Sequence, residues 1–246
     1  MQLHDILYSQ GFGTRRVCMG LVQQGRVALF SADGASEQVC LDPFVEVETQ
    51  GLEFSVDGVR WSYHAKAYVL LHKPAGFECS QRPSAHPSVY TLLPAPLRQR
   101  PVKGGVAGVQ AVGRLDQDTT GLLLLSDDGK FIHRMASPRR RVPKVYRVTA
   151  RHAFAPDQLR RLLQGVVLDD DPRPVQAVAV EALDDRVIEL ALTEGRYHQV
   201  KRMVAAVGNR VEALHRVRIG GLALPEDLPE GQWRWLQPAD LALLAP

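Results

Sequence analysis

A chain of 246 residues, 45% hydrophobic and 23% charged, has material for one large domain or a small and a medium one, and its composition is that of a globular fold. No apolar run approaches the roughly 20 residues of a membrane span. The first residues lack the basic and apolar regions of a secretory leader, and three scattered cysteines (Cys18, Cys40, Cys79) argue against a disulfide framework or zinc site and for reduced thiols in the cytoplasm.

The net charge of +3 hides an asymmetry: residues 1–64 hold four basic against eight acidic side chains, and the remainder 26 against 19. The spacing of Leu3, Ile6 and Leu7 predicts a helix stopping near Gly11 or Gly13. Thr14 is the expected N-cap of a second helix ending at Gly25, with Val17, Leu21 and Val22 facing the core. Short strands are expected at residues 25–27 and around the alternating Val45 and Val47, and a domain boundary near residues 60–66.

Residues 68–76 read as a strand and turn opening the second domain, and residues 94–111, rich in proline and glycine, as a mobile loop. That loop leads into Gly113-Arg114-Leu115-Asp116 and the apolar run 122–125. The run is too short for a helix and too apolar for a loop, so it reads as a buried strand. Asp127-Asp128-Gly129 supplies a turn into a helix over residues 130–135. Asp116 therefore sits on a connection beside a rigid core element, where catalytic groups are commonly presented.

Further on, residues 156–164 read as a helix carrying Leu159, Leu162 and Leu163, and Asp169-Asp170-Asp171 as a solvated turn lacking the ligand spacing of a calcium loop. Residues 175–183 and 186–193 form a strand pair. Val200, Met203, Val204 and Val207 define the buried stripe of a helix ending at Gly208, which leaves Lys201 outside that stripe. With a last strand over residues 211–221, the second domain is α+β on a mostly antiparallel sheet. Two basic clusters, one running from Arg134 to Arg147 and one from Arg196 to Arg218, suit a polyanionic partner.

Three segments then carry a resemblance. The run 113–121, Lys144-Val145-Tyr146, and the run 194–203 continuing to Leu214-His215-Arg216 resemble, in order, the motifs of the RsuA family of ribosomal RNA pseudouridine synthases. The Lys73-Pro74-Ala75-Gly76 turn matches as well. The resemblance implies a pseudouridine-synthase catalytic domain over residues 66–246, preceded by a small S4-like RNA-binding module over residues 1–62. That module departs from the family pattern in its Gln2-Leu3-His4-Asp5 start and acidic balance, leaving Arg15, Arg16 and Arg26 as candidate phosphate contacts.

For the site, the resemblance implies Asp116 as an ionised nucleophile, Tyr146 as a stacking and proton-handling group, and Lys201 as the cation that keeps Asp116 charged. A tyrosine flanked as Tyr146 is would otherwise read as a strand core residue. By analogy Arg114 holds the opened site and Leu214 packs on the uracil face. Lys144 completes the family's Lys-x-Tyr form, and Arg196 and Arg202 suit phosphate positioning. His198 receives no catalytic role, and Asp118 is set aside as a glycosidase-like partner of Asp116.

The reaction gains and loses no atoms, so no cofactor or metal is expected, and neither a Walker loop nor a dinucleotide fingerprint occurs. The segment from His198 to Met203 looks closest to the small-subunit 16S enzymes, whose large-subunit relatives usually carry arginine where Lys201 stands. The expected partner is 16S RNA or a small-subunit assembly intermediate, bound by a monomer. The alternatives are a 23S RNA or tRNA synthase and a non-catalytic RNA-binding assembly factor.

Overall fold

The computed structural model describes residues 1–31, 34–169 and 171–244, so Asp170 of the acidic triplet lies outside the described residues. The chain forms two compact units, each drawn from more than one stretch of sequence.

The first unit comprises Met1–Ala67, Leu93–Gln110 and Ser126–Asp128. Helix α1 (Leu3–Gln10) buries Leu3, Ile6 and Leu7 and ends at Gly11, whose φ of 90° is left-handed. A Cβ at Gly11 would collide with the Pro96 carbonyl, so glycine is required there on two counts. Helix α2 (Arg15–Gln23) begins at Thr14, whose hydroxyl accepts from the Val17 amide. Cys18, Leu21 and Val22 form its buried stripe, while Val17, expected in the core, is half exposed. The stripe follows the i, i+3, i+4 set from Cys18, which places Val17 at its margin.

Strands β1 (Val27–Phe30), β2 (Glu37–Cys40), β3 (Glu53–Val56) and β4 (Val59–Ser62) make an antiparallel sheet in the order β2-β1-β3-β4. Val45 and Val47 do not form the expected strand. Their segment instead lies beside the N-terminus, where Leu3 donates to the Val45 carbonyl and Val47 to that of Met1.

The expected mobile loop at residues 94–111 is also corrected. It contains helix α3 (Ala95–Gln99), with Leu97 fully buried. Arg100, 1% exposed, donates to Asp127 Oδ2 at 2.8 Å, Gln10 Oε1 at 2.9 Å and the His64 carbonyl at 2.7 Å. A buried guanidinium needs such partners, and they tie this segment into the first unit.

The second unit comprises Tyr68–Leu92, Ala111–Leu125 and Gly129–Pro246. Its elements are β5 (Tyr68–Lys73), β6 (Gln110–Ala111), β7 (Thr120–Ser126), α4 (Gly129–Ala136), β8 (Lys144–Ala150), α5 (Pro156–Gln164), β9 (Val166–Leu168), β10 (Asp171–Val175), β11 (Ala179–Asp184), β12 (Val187–Leu192), α6 (Gln199–Ala206), β13 (Val211–Ile219), β14 (Leu222–Ala223), β15 (Trp233–Trp235) and α7 (Pro238–Leu243).

Among the described residues the main sheet runs β11-β12-β8-β13-β7-β5-β15, with β14 beside β13 and β6 beside β7. The pairings β11/β12, β12/β8, β8/β13, β13/β14 and β15/β5 are antiparallel, and β13 meets β7 in parallel. The α+β expectation with a mostly antiparallel mixed sheet matches this architecture.

Residues 122–125 are all fully buried, as expected of a central strand covered on both faces. Leu122 and Leu124 join Phe131 and Met135 of α4 in one core. A second core sets Leu162 of α5 and Val200, Met203, Val204 and Val207 against Val148, Ile188, Leu190 and Leu214 of the sheet. The stripe of α5 is narrower than expected, because Leu163 is largely exposed and Leu159 only partly buried.

Candidate functional site

The site forms where β7, β8, β13 and the start of α6 converge, and Gly121 makes that convergence possible. It pairs with Arg216 across the parallel β7/β13 ladder at φ 106°, and any Cβ there would strike the Arg216 backbone. The turn preceding β7 is closed by the Thr119 amide donating to the Asp116 carbonyl at 3.1 Å.

Lys73 fixes the same turn from beneath. Its fully buried ammonium donates to the carbonyls of Pro74 at 3.0 Å, Gln117 at 3.1 Å and Thr119 at 2.8 Å. Burial lowers its pKa, and nearby acidic groups including Asp118 and Asp116 oppose that shift.

A cleft of about 660 Å³ opens above this turn. Of the candidate residues, Asp116, Tyr146, Lys201, Arg114, Leu214, Arg196 and Lys144 all line it. Arg202 does not: its Nη1 donates to the Tyr197 carbonyl at 3.2 Å and so supports the adjoining loop. Lys144 and Tyr146 stand two apart on β8 and share a face. Leu214 is buried and belongs also to the core beneath.

Lys201 Nζ lies 3.2 Å from Asp116 Oδ2 and 2.6 Å from Asp118 Oδ1. Asp118, set aside on sequence, is thus the nearer partner of the lysine. Burial pushes the Lys201 ammonium toward its neutral form, but the hydrogen bond to Asp118 and the charge of Asp116 reverse this and raise its pKa. Burial likewise raises the Asp118 carboxyl, and Lys201 outweighs it, leaving the pKa below the usual carboxylate range.

Three contributors were missed by sequence reasoning. His198 Nε2 stands 3.5 Å from Asp116 Oδ1. The signal was its place immediately before the helix that carries Lys201. His198 is also the N-cap of α6 in left-handed conformation, φ 49°, an uncommon backbone state for a residue with a side chain. Lys73 is the second. Arg216 is the third: it is 3% exposed, donates through Nε to the Leu122 carbonyl at 2.7 Å and lines the cleft. Its Nη2 is buried without a hydrogen-bond partner among the described residues. The Arg216 guanidinium lies 5.9 Å from the Tyr146 ring centroid. Burial, and then this positive charge, bring the Lys144 ammonium down to about 8.

Comparison with known proteins gives consistent matches. A family model described as RNA pseudouridylate synthase covers residues 67–206. A ribosomal small subunit pseudouridine synthase A from Vibrio parahaemolyticus is 35% identical over 238 residues, covering 96% of both chains. The protein of that name from Escherichia coli (strain K12) is 41% identical over 179 residues, 73% of this chain and 74% of the relative. Among solved structures, the crystal structure of a pseudouridylate synthase superposes with a TM-score of 0.67 at 31% identity, over 100% of both chains.

Proposed function

The chain belongs to the RNA pseudouridylate synthase family and is a pseudouridine synthase, and on that premise we propose that it isomerises one specific uridine of ribosomal RNA, in the 16S RNA of the small subunit. The observation that carries the reading is the part-buried Asp116 carboxylate, held in a cleft by a lysine 3.2 Å away. Small-subunit specificity rests on the full-length similarity to relatives named for that subunit and on lysine at position 201.

The reaction breaks the N1–C1′ bond of uridine and forms a C5–C1′ bond, while C5 loses a proton and N1 gains one. Cleavage develops positive charge at the sugar, and a carboxylate is the group that can meet it, covalently or electrostatically. Asp116 takes that role. Lys201 pairs with the carboxylate and aims it, and Asp118 fixes the lysine from its other side. Tyr146 stacks on the uracil, and its hydroxyl relays the C5 proton.

Leu214 supplies the apolar surface opposite the ring, and Arg114, exposed at the cleft, holds the opened site after the base leaves its stack. Lys144 and Arg196 engage phosphates, while Arg202 acts by supporting the backbone of residue 197. The enzyme works in the cytoplasm, where its ribosomal substrate is assembled.

The N-terminal unit serves as a weakened S4-like module. Arg26 is held by Asp57 in a two-pronged pair at 2.6 Å, and Arg15 by Asp5 at 2.8 Å. Of the three arginines expected to grip phosphate, that leaves Arg16.

The test is site-resolved pseudouridine mapping on unmodified 16S and 23S RNA with wild type and Asp116→Asn. One new site in 16S, lost by at least about a thousandfold in the variant while RNA affinity persists, is expected. A site in 23S alone would overturn the subunit assignment, and silence on both would overturn the ribosomal reading.

A further inference from the structure

Tyr197 is 72% exposed, the most exposed of the large hydrophobic side chains among the described residues. Its ring stacks on that of His198, centroids 3.8 Å apart and planes within 19°. The pair is held in place by its surroundings. The left-handed backbone of His198 turns the chain so that the two successive rings stack. Gln199, 4% exposed, clamps the loop by accepting from the Arg196 amide at 2.8 Å and donating to Glu194 Oε1 at 3.0 Å. Arg202 fixes the Tyr197 carbonyl from the helix.

Both rings line the cleft, and His198 reaches the Asp116 carboxylate. An aromatic face left open to solvent and pre-ordered by the left-handed backbone of His198 has the features of a stacking platform for a nucleobase. A structural role accounts for the inner ring, which touches Asp116. It does not account for the outer face of Tyr197.

We propose that the Tyr197–His198 stack is a second base-binding subsite, which takes the nucleobase of the RNA residue directly flanking the target uridine. The inference rests on the proposed RNA substrate and adds a contact outside the reacting nucleotide. Stacking reads a base by its π-face, so the subsite tolerates any base but requires that one be present. It would hold the neighbouring nucleotide splayed from its own stack and set the register in which the uridine meets Asp116.

The test measures Kd and KM on a synthetic RNA spanning the modified uridine, and on versions with an abasic residue at its 5′ or 3′ neighbour. Tyr197→Ala should weaken binding about tenfold or more, mainly in Kd and KM, and Tyr197→Phe should restore it. The abasic residue on one side should weaken wild type by a similar factor and Tyr197→Ala hardly at all. Equal losses in wild type and variant, or wild-type affinity in Tyr197→Ala, would overturn the subsite. Should wild type bind 16S RNA without forming pseudouridine, the functional reading fails, while the same variant's affinity for that RNA still decides the platform.

Discussion

The N-terminal unit and the cleft both use acid–base pairs, and they use them differently. In the N-terminal unit two arginines are each matched to one carboxylate on an exposed surface, Arg26 to Asp57 and Arg15 to Asp5. Such pairs cancel charge locally and contribute little stability, because water and salt screen them. In the cleft one lysine serves two carboxylates, and Asp116 has both a lysine and a histidine beside it. There burial works against charge, and the contacts between Lys201 and the two carboxylates outweigh it, so charge is preserved and directed rather than cancelled. The contrast separates arginines spent on local partners from a site whose carboxylate lines an open cleft.

The sharpest way to break this comparison is to remove the shared cation. Lys201→Met should lower kcat by about a hundredfold, the scale of losing one preorganised electrostatic partner, with RNA affinity nearly retained. Wild-type turnover would mean that Asp118 and Asp116 need no common counterion. Second in size is Lys73→Met. Three carbonyls lose a donor, the Thr119 one in a buried hydrogen bond, offset in part by relief of a buried charge, so unfolding free energy should fall by about 2–4 kcal/mol. Thermal or urea denaturation checks it. Activity should fall further than Asp116 chemistry alone requires, since the turn carrying that residue loosens.

Much of this was legible in the sequence where a pattern was regular. The all-apolar run 122–125 and the stripe of Val200, Met203, Val204 and Val207 read directly as a central strand and a buried helical face. The cleft residues that share motifs were legible through resemblance. What failed did so for physical reasons. The proline- and glycine-rich segment 94–111 looked like a loop because its order comes from one buried arginine, Arg100, whose partners lie at positions 10, 64 and 127. Val45 and Val47 alternate as a strand does, yet the neighbouring chain satisfies that backbone. Lys73 and Arg216 are invisible to periodicity because a buried cation is defined by carbonyls brought from distant positions in the chain, Thr119 for one and Leu122 for the other.

A smaller effect concerns Glu78, at the cleft wall. Its carboxylate accepts from the amides of Ser84, Ala85 and His86 and from the Ser84 hydroxyl. The backbone donors, Ala85 first, bring its pKa from 4.5 down to about 2. A carboxyl depressed in the folded state stabilises it above the unfolded pKa and loses that contribution as pH falls toward the folded one. Hydrogen-exchange protection of these three amides should therefore persist above about pH 4.5 and decline toward pH 2. In Glu78→Gln it should be weak throughout and independent of pH over that window. A declining profile in the variant would assign the effect to another group.

The smallest expected effect tests the other side of the comparison. If Arg26 is spent on Asp57, Arg26→Ala should leave RNA affinity and its salt dependence as in wild type, because no phosphate contact is lost. Asp57→Ala is the more informative partner: it frees the guanidinium without removing it, and an added cation at the surface should strengthen RNA binding and steepen its salt dependence by about one unit of slope. The double variant should return to wild-type affinity. Should Arg26→Ala alone weaken binding and flatten the salt slope, the pair opens on RNA, and the N-terminal unit grips phosphate through the arginine that its own aspartate otherwise occupies.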